Sequence, residues 1–324
     1  MLQQVLDNRI VLGLIVILGV PAMLIGYVLL VERIVGRLMP RTGARIRPWL
    51  WALPALAFVS VFLIYPAIAT VLRSLFNRRG DVFVGLENYG WFFGKPDNLV
   101  ALFNNVVWAV LLPLLVVGIG LIVAVFADKV RYEVAVRSII FLPMAISSVA
   151  AGVIWRLMYD IDPKVGTLNA VVASAGSDPQ AWLSTAPWNT FMLIIVSVWM
   201  MTGLAMVIVS AGLKGIPIEL MEAARLDGAN EIKVFRHVVY PLLVPTLAVV
   251  ATTVLIFALK TFDVVYVMTN GNFGTDVVAN QMYAELFSYG QQGRAATVAT
   301  VLLLATIPIM VLNVRRFRQQ EENR

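Results

Sequence analysis

Residues 216–243 read IPIELMEAARLDGANEIKVFRHVVYPLL, with Glu219, Glu222, Arg225, Asp227, Glu231, Lys233 and Arg236 crowded between two apolar runs. That density is foreign to the chain as a whole, which is 60% hydrophobic and 14% charged over 324 residues. Soluble domains carry about 25% charged residues. Mean hydropathy is +0.84, and several apolar runs exceed about 18 residues, which together read as an all-α, polytopic membrane helix bundle. The charged stretch is then where the chain leaves lipid for water before crossing again.

Outward from it, about seven runs reach the length needed to span hydrocarbon: Ile10–Val31, Leu50–Leu72, Leu102–Ala127, Ile139–Met158, Phe191–Leu213, Leu242–Met268 and Ala295–Val314. The first is too long for a signal core, and Glu32 and arginines follow it rather than a small-residue cleavage site, so it reads as a retained span. Arg33, Arg37, Arg41, Arg45 and Arg47 follow the first run, Lys129, Arg131 and Arg137 the third, and Arg315, Arg316 and Arg318 the last. Basic loops stay in the cytoplasm. The alternation therefore predicts an outside N-terminus, an inside C-terminus and a cytoplasmic 216–243 stretch. The net charge of +6 is accounted for by these loops and anionic lipid, with no need for nucleic acid.

Within the stretch, Pro217 suits the first turn of a helix, and Glu219 and Glu222 sit at its positive end. Gly228 can take the left-handed conformation that stops a helix, and Asn230 can cap a second one. There Ile232, Phe235 and Val239 would form an apolar stripe in need of a partner, and Pro241 would close the unit before the sixth span. Two short amphipathic helices joined by a glycine elbow are expected.

Catalysis finds no inventory. Cysteine is absent and His237 is the one histidine, leaving neither thiolate sites nor a histidine-based metal centre. HExxH, GxSxG and Walker lysine motifs are missing. The chain reads as no enzyme and as needing no cofactor or metal.

The spacing Glu222-Ala223-Ala224, three residues, Gly228, nine residues, Val238-x-Tyr240-Pro241 resembles the EAA signature of ABC importer permeases. RPWLWALPALAFVSVFLIYPAI, VGLENYGWFF, NNVVWAV, IIFLPMAISSVAAGVIWRLMYD and FDVVYVMTNG extend the likeness, over about residues 50–316, to carbohydrate permeases of the maltose and glycerol-phosphate type. The first span and WLSTAPWNTFML bring it nearest the α-glucoside permeases of that group. The resemblance implies a multi-pass subunit of the bacterial cytoplasmic (inner) membrane that imports a sugar using partners' ATP hydrolysis. It implies a second homologous permease, two cytoplasmic ABC ATPases and an extracytoplasmic sugar-binding protein. It divides the chain into an extra N-terminal span with its basic loop (1–48), the permease domain (49–318) with its coupling loop (214–241), and a cytoplasmic tail (319–324).

The resemblance also implies that Glu222, Ala223, Ala224, Gly228 and Pro241 form the joint that docks onto an ATPase. It carries the mid-membrane sugar contacts to Ser197, Met201, Val254, Ala258 and Thr261, of which Ser197 and Thr261 can bond a hydroxyl. Lys260 and Asp263 read as a short ion pair, and Trp49, Trp51, Tyr159 and Trp188 as interface anchors. The alternative is an ion-coupled secondary transporter acting alone, against which stands the lack of acidic or histidine relays in the spans.

Overall fold

Inside hydrocarbon no water satisfies a backbone amide, so an apolar run must bond to itself, and a helix does so within one segment. A computed structural model describes residues 9–38, 43–128 and 130–322. Residues 1–8, 39–42, 129 and 323–324, and with them Arg41 and Lys129 of the basic loops, lie outside that description. Among the described residues every regular element is helical, apart from a lone bridge between Phe76 and Phe83. Among the described residues, five helices are long and apolar enough to cross a membrane, or six when one sharply bent pair is taken as a crossing.

The chain divides into two units within α3 (Tyr65–Arg73). The first comprises α1 (Arg9–Leu38), α2 (Gly43–Val59), a π-helical turn at Ser60–Ile64 and the start of α3. Its two long helices are tied by the Tyr27 hydroxyl, which donates to the Leu50 carbonyl at 2.6 Å, and by a 3.3 Å pair between Arg47 and Glu32. Residues such as Ile17, Leu18, Met23 and Leu29 stand exposed. A helix apolar on every face belongs in a core or in lipid.

The second unit holds α4 (Glu87–Gly94), α5 (Pro96–Ala127), α6 (Glu133–Phe141), α7 (Ser148–Met158), α8 (Thr167–Ser174), α9 (Trp188–Lys214), α10 (Ile218–Leu226), α11 (Glu231–Val234), α12 (Tyr240–Leu259), α13 (Asp263–Met268), α14 (Val278–Tyr283) and α15 (Gln292–Glu322). Its core is α9 laid along α5 and α12. Trp108, Leu112 and Val116 of α5 meet Leu193, Ile194 and Met206 of α9 and Leu243 and Val250 of α12. Small residues bring the backbones together, as membrane helix pairs require. A Cβ on Gly120 would overlap Ala205, and one on Gly203 would lie 2.6 Å from the Ile140 carbonyl oxygen.

Two of the expected crossings are not continuous. The run Ile139–Met158 bends by 100°: Pro143 sits in a 3₁₀ turn (Leu142–Ala145), Ile146 is extended, and Ser147 restarts the helix by accepting the Ala150 N–H. The run Leu242–Met268 stops at Leu259, and α13 then packs against α7. At its other end the same helix begins early. α11, a π-helical turn at Phe235–Val239 and α12 form one 29-residue rod, Glu231–Leu259. Pro241 therefore does not close a separate short helix. The widened turn bonds the Tyr240 N–H to the Phe235 carbonyl, five residues back. This lets the helix accept a proline that would break a regular α-helical ladder. An identical turn precedes Pro66 by the same interval.

Candidate functional site

The elbow expected at Asp227-Gly228 is present, and its bonds are those of a helix stop. Gly228 has φ +84°, its N–H bonds the Arg225 carbonyl, and the Ala229 N–H bonds that of Ala224. This reciprocal pair is a Schellman motif. Asn230 caps the next turn by accepting the Lys233 N–H at 2.9 Å. Across the elbow, Arg225 grips Glu231 through two bonds of 2.8 and 3.2 Å, and this pairing raises the guanidinium pKa further above its usual value. Pro217 lies one residue before the first helical position.

Glu222 and Ala223 are exposed on this knuckle and Ala224 is half-buried, packed on the core. The expected apolar stripe divides. Val239 is buried and Phe235 half-buried against the bundle, leaving Ile232 (77% exposed) to project with Leu226 (89%). Helical period alone could not separate the face turned to the protein from the face turned away. Beside the knuckle, Lys214 and Arg137 both bind Glu133 (2.9 and 2.7 Å), and Arg137 also reaches Asp128 at 3.0 Å. That cluster ties the ends of α5, α6 and α9.

The rod leaving the knuckle ends at a cavity of about 250 Å³. Ser197, Met200 and Met201 of α9 line it, with Lys260, Thr261 and Asp263 from the α12–α13 break and Met144, Ile146 and Ser148 from the α6–α7 break. Ser197 and Thr261 thus share one chamber. The Thr261 hydroxyl makes a long 3.4 Å bond to the Phe257 carbonyl, while Ser197 Oγ has no partner among the described residues. Val254 and Ala258 are fully buried between helices and do not reach the cavity. Irregular backbone at membrane depth is tolerated where it lines a cavity. Here two breaks meet at the same one.

Lys260 and Asp263 form no ion pair among the described residues; each sits at a break and borders the chamber. Tyr159 is not an interface anchor. It is 4% exposed, packed on Trp155 and Trp182, and burial pushes its phenol up to about 12. Trp49, Trp51 and Trp188 are exposed. The α6–α7 break escaped the sequence reading, although Pro143 followed by a capping serine is the signal of a stopped and restarted helix.

Beyond the cavity, amides pin the loop after α13. Asn104 donates to the carbonyls of Gly274 and Asp276, Asn105 accepts the Val278 N–H, and Asn189 donates to the Phe273 carbonyl. The NNVVWAV segment therefore serves to hold this loop.

The family model for the binding-protein-dependent transport system inner membrane component matches residues 93–318. The osmoprotective compounds uptake permease protein of Synechocystis sp. is 48% identical over 279 residues, 85% of this chain and 100% of its own. The alpha-glucoside transport system permease protein of Rhizobium meliloti is 42% identical over 280 residues, 85% of this chain and 83% of its own. The fold is shared with a chain of a bacterial ABC transporter for alginate import, at a TM-score of 0.74 and 21% identity, covering 87% of this chain and 99% of that one. With a helical bundle, a charged knuckle and a match over most of its length, the chain belongs to the binding-protein-dependent transport system inner membrane component family, the permease subunits of ABC transporters, and is a transport component rather than an enzyme.

Proposed function

We propose that this chain is one membrane subunit of an ATP-driven importer of an α-glucoside or another di- or oligosaccharide. It crosses the membrane about seven times, N-terminus outside and C-terminus inside. Residues 1–48 are an added span and 49–318 the permease domain. It works beside a second homologous permease, above two ATPases and below a sugar-binding protein. The sugar class is supported by the names of two relatives, the alpha-glucoside permease at 42% identity and a trehalose/maltose transport system permease of Thermococcus litoralis at 31%.

One observation carries the mechanism: a single rod runs from the elbow to the cavity. Its 29 residues are about 43 Å long at 1.5 Å per residue. Glu222 and Ala223 offer a carboxylate and a flat surface to an ATPase, and Leu226 and Ile232 supply apolar contact. The left-handed Gly228 and the Arg225–Glu231 pair keep the elbow from folding under load. Pro241 sits in the first turn of the rod's regular α-helical part. Displacing the knuckle then moves the Lys260–Phe262 break at its far end, where Ser197 and Thr261 would hold sugar hydroxyls.

The test is uptake of trehalose, maltose and sucrose by the assembled transporter in proteoliposomes. Glu222→Ala combined with Gly228→Pro should cut ATP-driven uptake at least tenfold with the complex still assembled; full uptake would refute the coupling role. The same vesicles, charged with a cation gradient and lacking ATPases, should take up nothing. Uptake there would favour the lone secondary transporter.

A further inference from the structure

At the end of α5 opposite the knuckle lies a second and larger cavity, of about 650 Å³, between the start of α5, the pinned loop after α13, and α14 with the π-helical turn that follows it. That volume falls within the roughly 300–1,000 Å³ of small-molecule sites. Its lining combines two chemistries. Tyr266 and Tyr283 offer aromatic rings 5.1 Å apart at their centroids, continued by Phe287 at 4.8 Å from Tyr283. Asp276, Gln281 and Glu285 offer acceptors.

Two of these acceptors are unpaired among the described residues. Glu285 and Gln281 are each 7% exposed, and neither Glu285 Oε2 nor Gln281 Oε1 has a hydrogen-bond partner there. Buried acceptors left in this state are costly, so they select a ligand that brings O–H or N–H donors. A metal ion fits poorly. Asp276 Oδ1 is already taken by the Asn280 side chain (2.7 Å) and the Val277 N–H (3.0 Å), and the Lys95 ammonium borders the same space. Among small polar ligands, a sugar presents hydroxyl donors on its edges and a C–H face that packs on an aromatic ring.

We infer that this outer cavity is a carbohydrate subsite, separate from the chamber at Ser197 and Thr261, in which Glu285 and Gln281 accept sugar hydroxyls and Tyr283 packs against the ring. The inference rests on the sugar-import reading. In the orientation proposed above the site opens outward, where a binding protein would release its load.

The experiment uses the assembled transporter in lipid nanodiscs, with trehalose, maltose and sucrose as probes in equilibrium dialysis and uptake assays. Wild type should bind sugar at two places. Glu285→Gln and Tyr283→Ala should weaken one of them at least tenfold, while Tyr283→Phe, which keeps the ring, should not. In uptake, Glu285→Gln should raise the loaded binding protein needed for half-maximal rate and leave the maximal rate unchanged. Ser197→Ala with Thr261→Val should affect the other site alone. Sugar uptake by the wild type with unaltered binding in Glu285→Gln would overturn the subsite and leave the import reading standing. Calcium binding that Glu285→Gln abolishes, without sugar binding there, would overturn it as well. Uptake of none of the three sugars would sink the import reading and this site with it.

Discussion

Substitution at Gly228 isolates one physical quantity. The residue holds φ +84°, and a Cβ built on it meets nothing within 4 Å. Any penalty at the Cβ is therefore local to the backbone conformation, with no clash against a neighbouring element. The left-handed region costs an ordinary residue about 1–2 kcal/mol, and asparagine less. At RT of about 0.6 kcal/mol this is a 5- to 30-fold change in the elbow's opening equilibrium. The order of protection should be Gly, Asn, Ala, then Val, whose branched Cβ tolerates this region worst. Proline should be worse again, since its φ is fixed near −65° and it deletes the N–H that bonds the Arg225 carbonyl. Amide exchange at Ala229, whose N–H closes the motif onto Ala224, reads this directly by mass spectrometry of the intact complex. Protection in Gly228→Val equal to wild type would refute the claim that the left-handed turn holds the knuckle.

The remaining expectations concern the cavity, the outer loop and the helix contact. Ser197→Ala should leave the melting temperature unchanged, because Ser197 Oγ has no partner among the described residues to lose, yet raise the KM for sugar about fivefold, equivalent to about 1 kcal/mol; a lowered Tm with unaltered KM would make it a packing residue. Burial raises the carboxyl pKa of both Asp276 and Glu285. A raised acid binds protons more tightly when folded, so its contribution is fully present below the unfolded value near 4 and is lost as pH climbs through the folded one. Asp276→Asn combined with Glu285→Gln should then flatten the fall in Tm from about pH 4 upward, and an unchanged slope would contradict the burial. Gly203→Ala drives a Cβ to 2.6 Å from the Ile140 carbonyl oxygen, which should cost about 1–3 kcal/mol by overpacking, read as a lowered denaturation midpoint in detergent.

The knuckle was legible in the sequence because its determinants are local. Glycine at a left-handed stop and asparagine at a cap act on their own neighbours, so Gly228 and Asn230 stand where spacing put them. The bundle's class was legible too, since lipid imposes helices on apolar runs. The breaks were not. Composition stays largely apolar through FLPMAISS and, Lys260 apart, through FALKTF, so a hydropathy window runs across both, and the rod's end at Leu259 shows only in the packing of α13 on α7. Tyr159 misled for a related reason: a tyrosine near the end of a run serves equally at a headgroup layer or under a tryptophan, and tertiary contact decides. Ser197 and Thr261 came from likeness to a family, and nothing in their own surroundings marked them. Lys260 and Asp263, three apart in sequence, suggested pairing, but an unwound segment between them separates charges that a regular helix turn would have brought together.

The π-helical turns at Ser60–Ile64 and Phe235–Val239 each hold one amino acid more than a regular coil of the same height, just upstream of a proline. Every side chain beyond such a turn is rotated by about 100° from the phase its number would give it. Deleting one position inside Phe235–Val239 would therefore shorten the chain yet re-index all that follows, turning the edge of the rod that bears Thr246 and Thr253 away from its present neighbours. Insertions and deletions at these two places act as rotational adjustments, a kind of variation by which related permeases could redirect the lining of a passage without altering any residue that forms it.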